Sequence, residues 1–117
     1  MLKYRRGDIV SIPFPFIQNY KKGKIRPALI IQNDIANEFS PNLIVVLISS
    51  TLPSKQYPMY YYINPKEEQN SGLKELSILK TDIIITIPKT AVIETIGCVS
   101  KVAMKQIDDC LRLSLTL

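Results

Sequence analysis

Three short runs of this chain carry the polar groups from which chemistry could be built. The first is Arg5-Arg6-Gly7-Asp8. The second is Lys24-Ile25-Arg26-Pro27, which follows a basic stretch holding Lys21 and Lys22. The third is Ser49-Ser50-Thr51, followed by Lys55. A planar guanidinium beside hydroxyls makes a donor-rich pocket that suits a phosphodiester. Each run also has an ordinary structural explanation. Arg26 could anchor a strand end through Asp8 or Asp34, the hydroxyls could be strand-end polarity, and the lysines could be a solvated loop.

Composition removes the common alternatives. The chain contains no His and two Cys, so a Cys–His nucleophile is excluded. Two thiols are too few for an ordinary zinc site, and we expect neither metal nor cofactor. Cys98 and Cys110 read as small core residues. Only four Gly are present, with no glycine-rich phosphate loop and no nucleophile elbow. What is left is charge stabilisation by Arg, Lys and hydroxyls. A net charge of +5 attracts polyanions, nucleic acid above all, although it also serves solubility. The run Tyr60-Tyr61-Tyr62 reads either as strand packing or as a platform for stacked bases.

The 117 residues fit a single domain over 1–117. The start of the chain lacks the apolar run of a signal peptide, and no stretch reaches the roughly 18 apolar residues of a membrane span. The expected location is the cytosol, without membrane contact and with reduced thiols.

The elements that must position these groups are mostly strands. Asp8–Phe14 alternates and reads as a half-buried strand ending at a proline. Residues 17–24 read as a mobile loop. Arg26–Ile31 is apolar after Pro27 and reads as a central strand. Asn33–Ser40 is a turn with a short helical segment. The β-branched run in Asn42–Ser49 predicts a buried strand, and Leu52–Gln56 a loop. Further strands are expected over Tyr57–Ile63, Leu73–Leu79, Ile83–Ile87 and Val92–Val99, with Pro65–Ser71 a polar turn. Gly97 suggests a bulge or a close backbone approach. Ser100 is a good N-cap, and Ala103, Ile107, Cys110, Leu111 and Ser114 recur at helical spacing. Many strands followed by one helix is an α+β pattern, mainly antiparallel β.

An ordered set of these pieces resembles the MazF/PemK toxin family. It comprises Arg6-Gly7-Asp8-Ile9-Val10, Phe14-Pro15-Phe16 and the run from Arg26-Pro27-Ala28 to Asn33-Asp34. Phe39-Ser40-Pro41, Ile48-Ser49-Ser50-Thr51, Gly72-Leu73, Ser77, Thr86-Ile87 and Ile96-Gly97 complete it. The resemblance implies a small SH3-like barrel of the CcdB/PemK type with a C-terminal helix. It implies a homodimer that cleaves single-stranded RNA sequence-specifically and without metal. The 2′-hydroxyl attacks its own phosphodiester and leaves a 2′,3′-cyclic phosphate. The implied catalytic residues are Arg26, which holds the phosphate, and Ser49, which stands where many relatives carry Thr. Ser50 or Thr51 could take that role instead. An Arg stays protonated and is a poor general base, so the resemblance names no proton acceptor. Arg6, Lys22, Lys24, Ser50, Thr51 and Lys55 are expected at the substrate. The implied partner is an antitoxin with an acidic tail. Two alternatives stand beside this reading. One is a CcdB-like gyrase poison without nuclease activity, and the other a nucleic-acid-binding module weakened in catalysis.

Overall fold

The computed structural model describes residues 2–14 and 24–117, and these form a curled, fully antiparallel six-stranded sheet with a C-terminal helix. In chain order the elements are β1 (Asp8–Phe14), β2 (Lys24–Ile30), α1 (Asp34–Phe39), β3 (Asn42–Ser49), β4 (Tyr61–Ile63), β5 (Ser77–Pro88), β6 (Glu94–Cys98) and α2 (Lys101–Leu115). The strands lie in the order β4-β5-β3-β2-β1-β6, so β2 is central, as its apolar run requires. The loop expected over 17–24 lies outside the described residues, except for Lys24, which opens β2.

Successive strand residues point to opposite faces, and here both faces are covered. One face carries Ile9, Leu29, Val46, Ile48, Ile63 and Leu79, packed against Ala103, Ile107 and Leu111 of α2. The other carries Val10, Ile12, Ala28, Ile30, Leu43, Val45 and Ile87, with Tyr4 laid over them. β1 is therefore buried on both sides from Ile9 to Ile12, not half-buried as its alternation suggests. The hydroxyl of Ser11 is accommodated because it donates to the Glu94 carbonyl at 3.4 Å.

Two expected strands change shape. Only Tyr61–Ile63 of the tyrosine segment pairs, because Tyr60 turns back to bond the Tyr57 carbonyl. The two segments expected over 73–79 and 83–87 are parts of one strand, β5. Its register against β3 jumps from Val46↔Ile84 to Ile48↔Leu79. The polar interruption Lys80-Thr81-Asp82 bulges out there rather than ending the strand. The bulge is held from three sides. The Thr81 hydroxyl donates to the Met59 carbonyl at 2.6 Å, Ser114 donates to the Thr81 carbonyl at 2.9 Å, and Tyr60 donates to Asp82 at 2.8 Å.

Both helices begin at side-chain caps. Asn33 accepts from the Ala36 amide and Ser100 from the Ala103 amide. Among the described residues no helix is long and apolar enough to cross a membrane.

Candidate functional site

A groove of about 470 Å³ opens between the strands β1, β2 and β6 and the loop that precedes β5. Its floor is the row Glu94, Ser11 and Pro27, which the ladders β6–β1 and β1–β2 place side by side. Ile48 and Ser50 extend the floor from β3. Gly72, Leu73, Lys74, Glu75 and Ser77 form the opposing wall, and Ile25, Arg26 and Ile96 complete the lining.

That wall is fixed by two glycines. Gly72 has φ +73°, and a Cβ on it would sit 2.1 Å from the Ile96 carbonyl oxygen. A Cβ on Gly97 would meet the Asn70 oxygen at 2.2 Å. No larger residue lets the loop approach β6 so closely. The β6 register shifts between Ile9 and Val10 of β1, so both readings of Gly97 apply, the bulge and the close approach. The Cys98 amide donates to the Asn70 carbonyl at 2.8 Å, and Glu68 receives the amide and hydroxyl of Ser100 at 2.6 and 2.9 Å. The loop is thereby bound to β6 and to the start of α2.

Arg26 stands at this groove, half-buried. Among the described residues it makes no ion pair, and neither suggested anchor holds it. Asp8 instead accepts from the Arg5 amide, and Asp34 from the Arg6 amide and the Asn37 side chain. These two bonds, the Arg6 amide first, hold the Asp34 carboxyl below its ordinary pKa. Among the described residues no side chain or carbonyl accepts from the Arg26 guanidinium, which leaves it open to an external anion.

Ser49 ends β3. The β2–β3 register runs from Ile30↔Val45 to Ala28↔Leu47. Continuing it by two residues brings Arg26 level with Ser49, although the ladder itself ends where Pro27 offers no amide. Ser49 is half-buried, and its oxygen accepts from the Thr51 amide at 3.1 Å, which leaves its hydroxyl hydrogen free to donate. Ser50 is exposed and lines the groove, whereas Ser49, one residue out of phase with it, does not and stands with Arg26 at the groove's edge.

The other expected contacts separate. Lys22 lies outside the described residues. Lys24, Thr51 and Lys55 are exposed but do not line the groove. Arg6 is committed elsewhere. Its Nε donates to the Ile31 carbonyl and its Nη2 to Asp108, both at 2.7 Å, so it fastens β2 to α2 instead of facing a substrate. Two of the three tyrosines of that run are likewise engaged, Tyr60 with Asp82 and Tyr61 with Gln106 of α2, while Tyr62 is exposed. Cys98 is exposed and Cys110 half-buried, so neither is the core residue its type suggests. Among the described residues no group of three His, Cys, Asp or Glu is placed to hold a metal.

Sequence reasoning missed Ser11, Lys74, Glu75 and Glu94. They lie far apart in the chain and meet only because β1 pairs with β6 and the loop before β5 folds over both. The visible signal was the two glycines, Gly72 and Gly97, at the contact that brings them together.

Comparison with known proteins identifies the family and agrees with the fold. The family profile described as PemK-like, MazF-like toxin of type II toxin–antitoxin system matches residues 5–115. Endoribonuclease EndoA of Bacillus subtilis (strain 168) is 31% identical over 113 residues, covering 97% of this chain and 95% of that protein. Among solved structures, an endoribonuclease in complex with its cognate antitoxin from a mycobacterial species superposes with a TM-score of 0.79. It shares 20% identity and covers 97% of this chain and 96% of its own. A MazE–MazF structure from Deinococcus radiodurans gives 0.74 at 14% identity, covering 100% and 99%. These two likenesses speak for the fold.

Proposed function

The chain belongs to the PemK-like, MazF-like toxin family of type II toxin–antitoxin systems, and from that footing we propose that it is an endoribonuclease whose site is the groove at Arg26. The observation that carries this reading is the guanidinium of Arg26, free of any ion pair among the described residues; the β2–β3 register, extended two residues past Ala28↔Leu47, sets Ser49 opposite it.

Arg26 holds the scissile phosphate of single-stranded RNA and offsets the charge that builds on its non-bridging oxygens. Ser49 donates a hydrogen bond to one of those oxygens. The 2′-hydroxyl gives up its proton, and its oxygen forms the new bond to phosphorus. The P–O5′ bond breaks and the 5′-oxygen takes up a proton, so the step is balanced in protons. The products are a 2′,3′-cyclic phosphate and a free 5′-hydroxyl. No protein nucleophile and no metal takes part, in keeping with a chain that contains no His. The lysines of the β1–β2 segment, Lys22 and Lys24, and Lys55 after β3 hold the RNA backbone, a contact that positions the strand without reading it.

The acting unit is a homodimer in the cytoplasm, and its inhibitor is an antitoxin with an acidic tail. A net charge of +5 on the toxin favours that tail electrostatically. The antitoxin complexes among the similar structures support such a partner.

The experiment is incubation with a long RNA in the presence of EDTA. Discrete fragments ending in cyclic phosphate are expected. A substrate carrying a single 2′-deoxynucleotide before the cut bond should bind but stay whole. RNA left intact at high protein concentration contradicts the assignment. Growth arrest with damaged DNA and intact RNA would restore the gyrase-poison alternative.

A further inference from the structure

The groove at Arg26 carries charges of both signs, and a phosphate backbone accounts for only one of them. Arg26 and Lys74 would welcome a phosphate, whereas Glu75 and Glu94 would repel it. Among the described residues neither glutamate forms an ion pair. Both glutamates are exposed, so each carboxylate is open to hydrogen-bond donors of a ligand, and in RNA the obvious donors are base edges. The rest of the lining suits a base. Ile25, Pro27, Ile48, Leu73 and Ile96 are apolar, and the volume of about 470 Å³ lies in the range of small-ligand pockets.

We propose that this groove is a guanine pocket, with Glu94 reading the Watson–Crick edge and Lys74 the opposite acceptor edge of a base next to the cut phosphate. The inference rests on the endoribonuclease reading and adds the base it selects. A carboxylate offers two adjacent acceptors, and guanine alone presents two adjacent donors, N1–H and the N2 amine. Adenine and cytosine set an acceptor beside their amine, and uracil flanks its N3–H with two carbonyls. Lys74 donates to O6 or N7 of the same guanine. Glu94 is favoured over Glu75 because it is fixed on β6, in register with Ser11 and in the same row as Pro27. A side chain on a laddered strand reads more precisely placed atoms than one on a loop. The backbone carbonyls of both glutamates are already taken, by Ser11 at 3.4 Å and by Ser77 at 2.9 Å, so their carboxylates are what the groove presents.

The test maps fragment ends from the unaltered protein on a long RNA with EDTA, then measures kcat/KM on short RNAs. Guanine is expected at one fixed position beside the cut. Replacing it by adenine should lower kcat/KM about 5- to 150-fold, the discrimination expected of one bidentate pair. Inosine, which lacks only the N2 amine, should fall between the two. Glu94→Gln presents one donor and one acceptor, an arrangement that matches adenine, so the guanine-to-adenine ratio should drop to one or below. Fragments with no guanine requirement, or a ratio unchanged in Glu94→Gln, overturn the guanine pocket while leaving the nuclease standing. Intact RNA with the unaltered protein overturns both.

Discussion

The guanidinium of Arg6 meets the carboxylate of Asp108 at 2.7 Å, joining the first residues of the chain to its last helix across 102 positions. The same guanidinium bonds the Ile31 carbonyl, so β1, β2 and α2 share one fastening. Both side chains are about 30% exposed, which weakens the pair by solvent screening. Arg6→Ala should therefore cost about 1 kcal/mol and lower Tm by about 4 °C, with RNA affinity and its salt dependence unchanged. Calorimetry and a salt titration of binding check this. A loss of RNA affinity at unchanged Tm would return Arg6 to the substrate.

Gly97 tests the wall of the groove. An alanine there places Cβ within 2.2 Å of the Asn70 carbonyl oxygen, a backbone atom that cannot rotate aside. Gly97→Ala should destabilise by about 3 kcal/mol and lower cleavage together with stability, since the loop that carries Lys74 must lift. Gly7→Ala is the informative comparison. Gly7 has φ +99°, but its Cβ would meet nothing nearer than 3.8 Å, so it suffers backbone strain without collision and should cost less.

Titration of Tyr60 should stand apart. Burial and the bond to Asp82 push its hydroxyl up to about 12 from an ordinary 10.0. A folded pKa above the unfolded one contributes stability that is complete below about pH 10 and disappears as pH rises through about 12. Tyr60→Phe should remove that late phenolate absorbance step and flatten the alkaline stability curve over this window. An unchanged absorbance titration would refute the assignment.

The two serines divide the site by strand phase. Ser49 is level with Arg26, whereas Ser50 projects with Ile48 into the groove. Ser49→Ala should lower kcat on the order of 10²-fold, with little change in KM. Ser50→Ala should act mainly through KM. The reverse pattern would move the phosphate contact to Ser50.

Much of this fold was legible because burial on two faces demands long apolar runs, which β2 has after Pro27 and β3 has in β-branched form. The N-cap at Ser100 and the periodicity after it placed α2 from Lys101 onward. β5 was not legible as one strand, because Lys80-Thr81-Asp82 carries no sign that a bulge rather than a turn absorbs it. At the site, the runs around Arg26 and Ser49-Ser50-Thr51 stood out locally, and the family resemblance picked Arg26 and Ser49 from them. Glu94 and Lys74 could not be named, since their meeting depends on the register of β6 against β1 and on contacts made by Gly72 and Gly97. The bonds of Arg6 were not legible either, because one of its acceptors lies on the final helix, 102 positions away.

The central claim is tested most directly at Arg26. On a mapped RNA with EDTA present, Arg26→Ala should lower kcat/KM by at least about 10²-fold, while circular dichroism and Tm stay within a few degrees of the unaltered protein. Arg26→Lys should recover part of the binding but little of the rate, because an ammonium cannot bracket two phosphate oxygens. An Arg26→Ala protein that cleaves at the original rate would contradict the account.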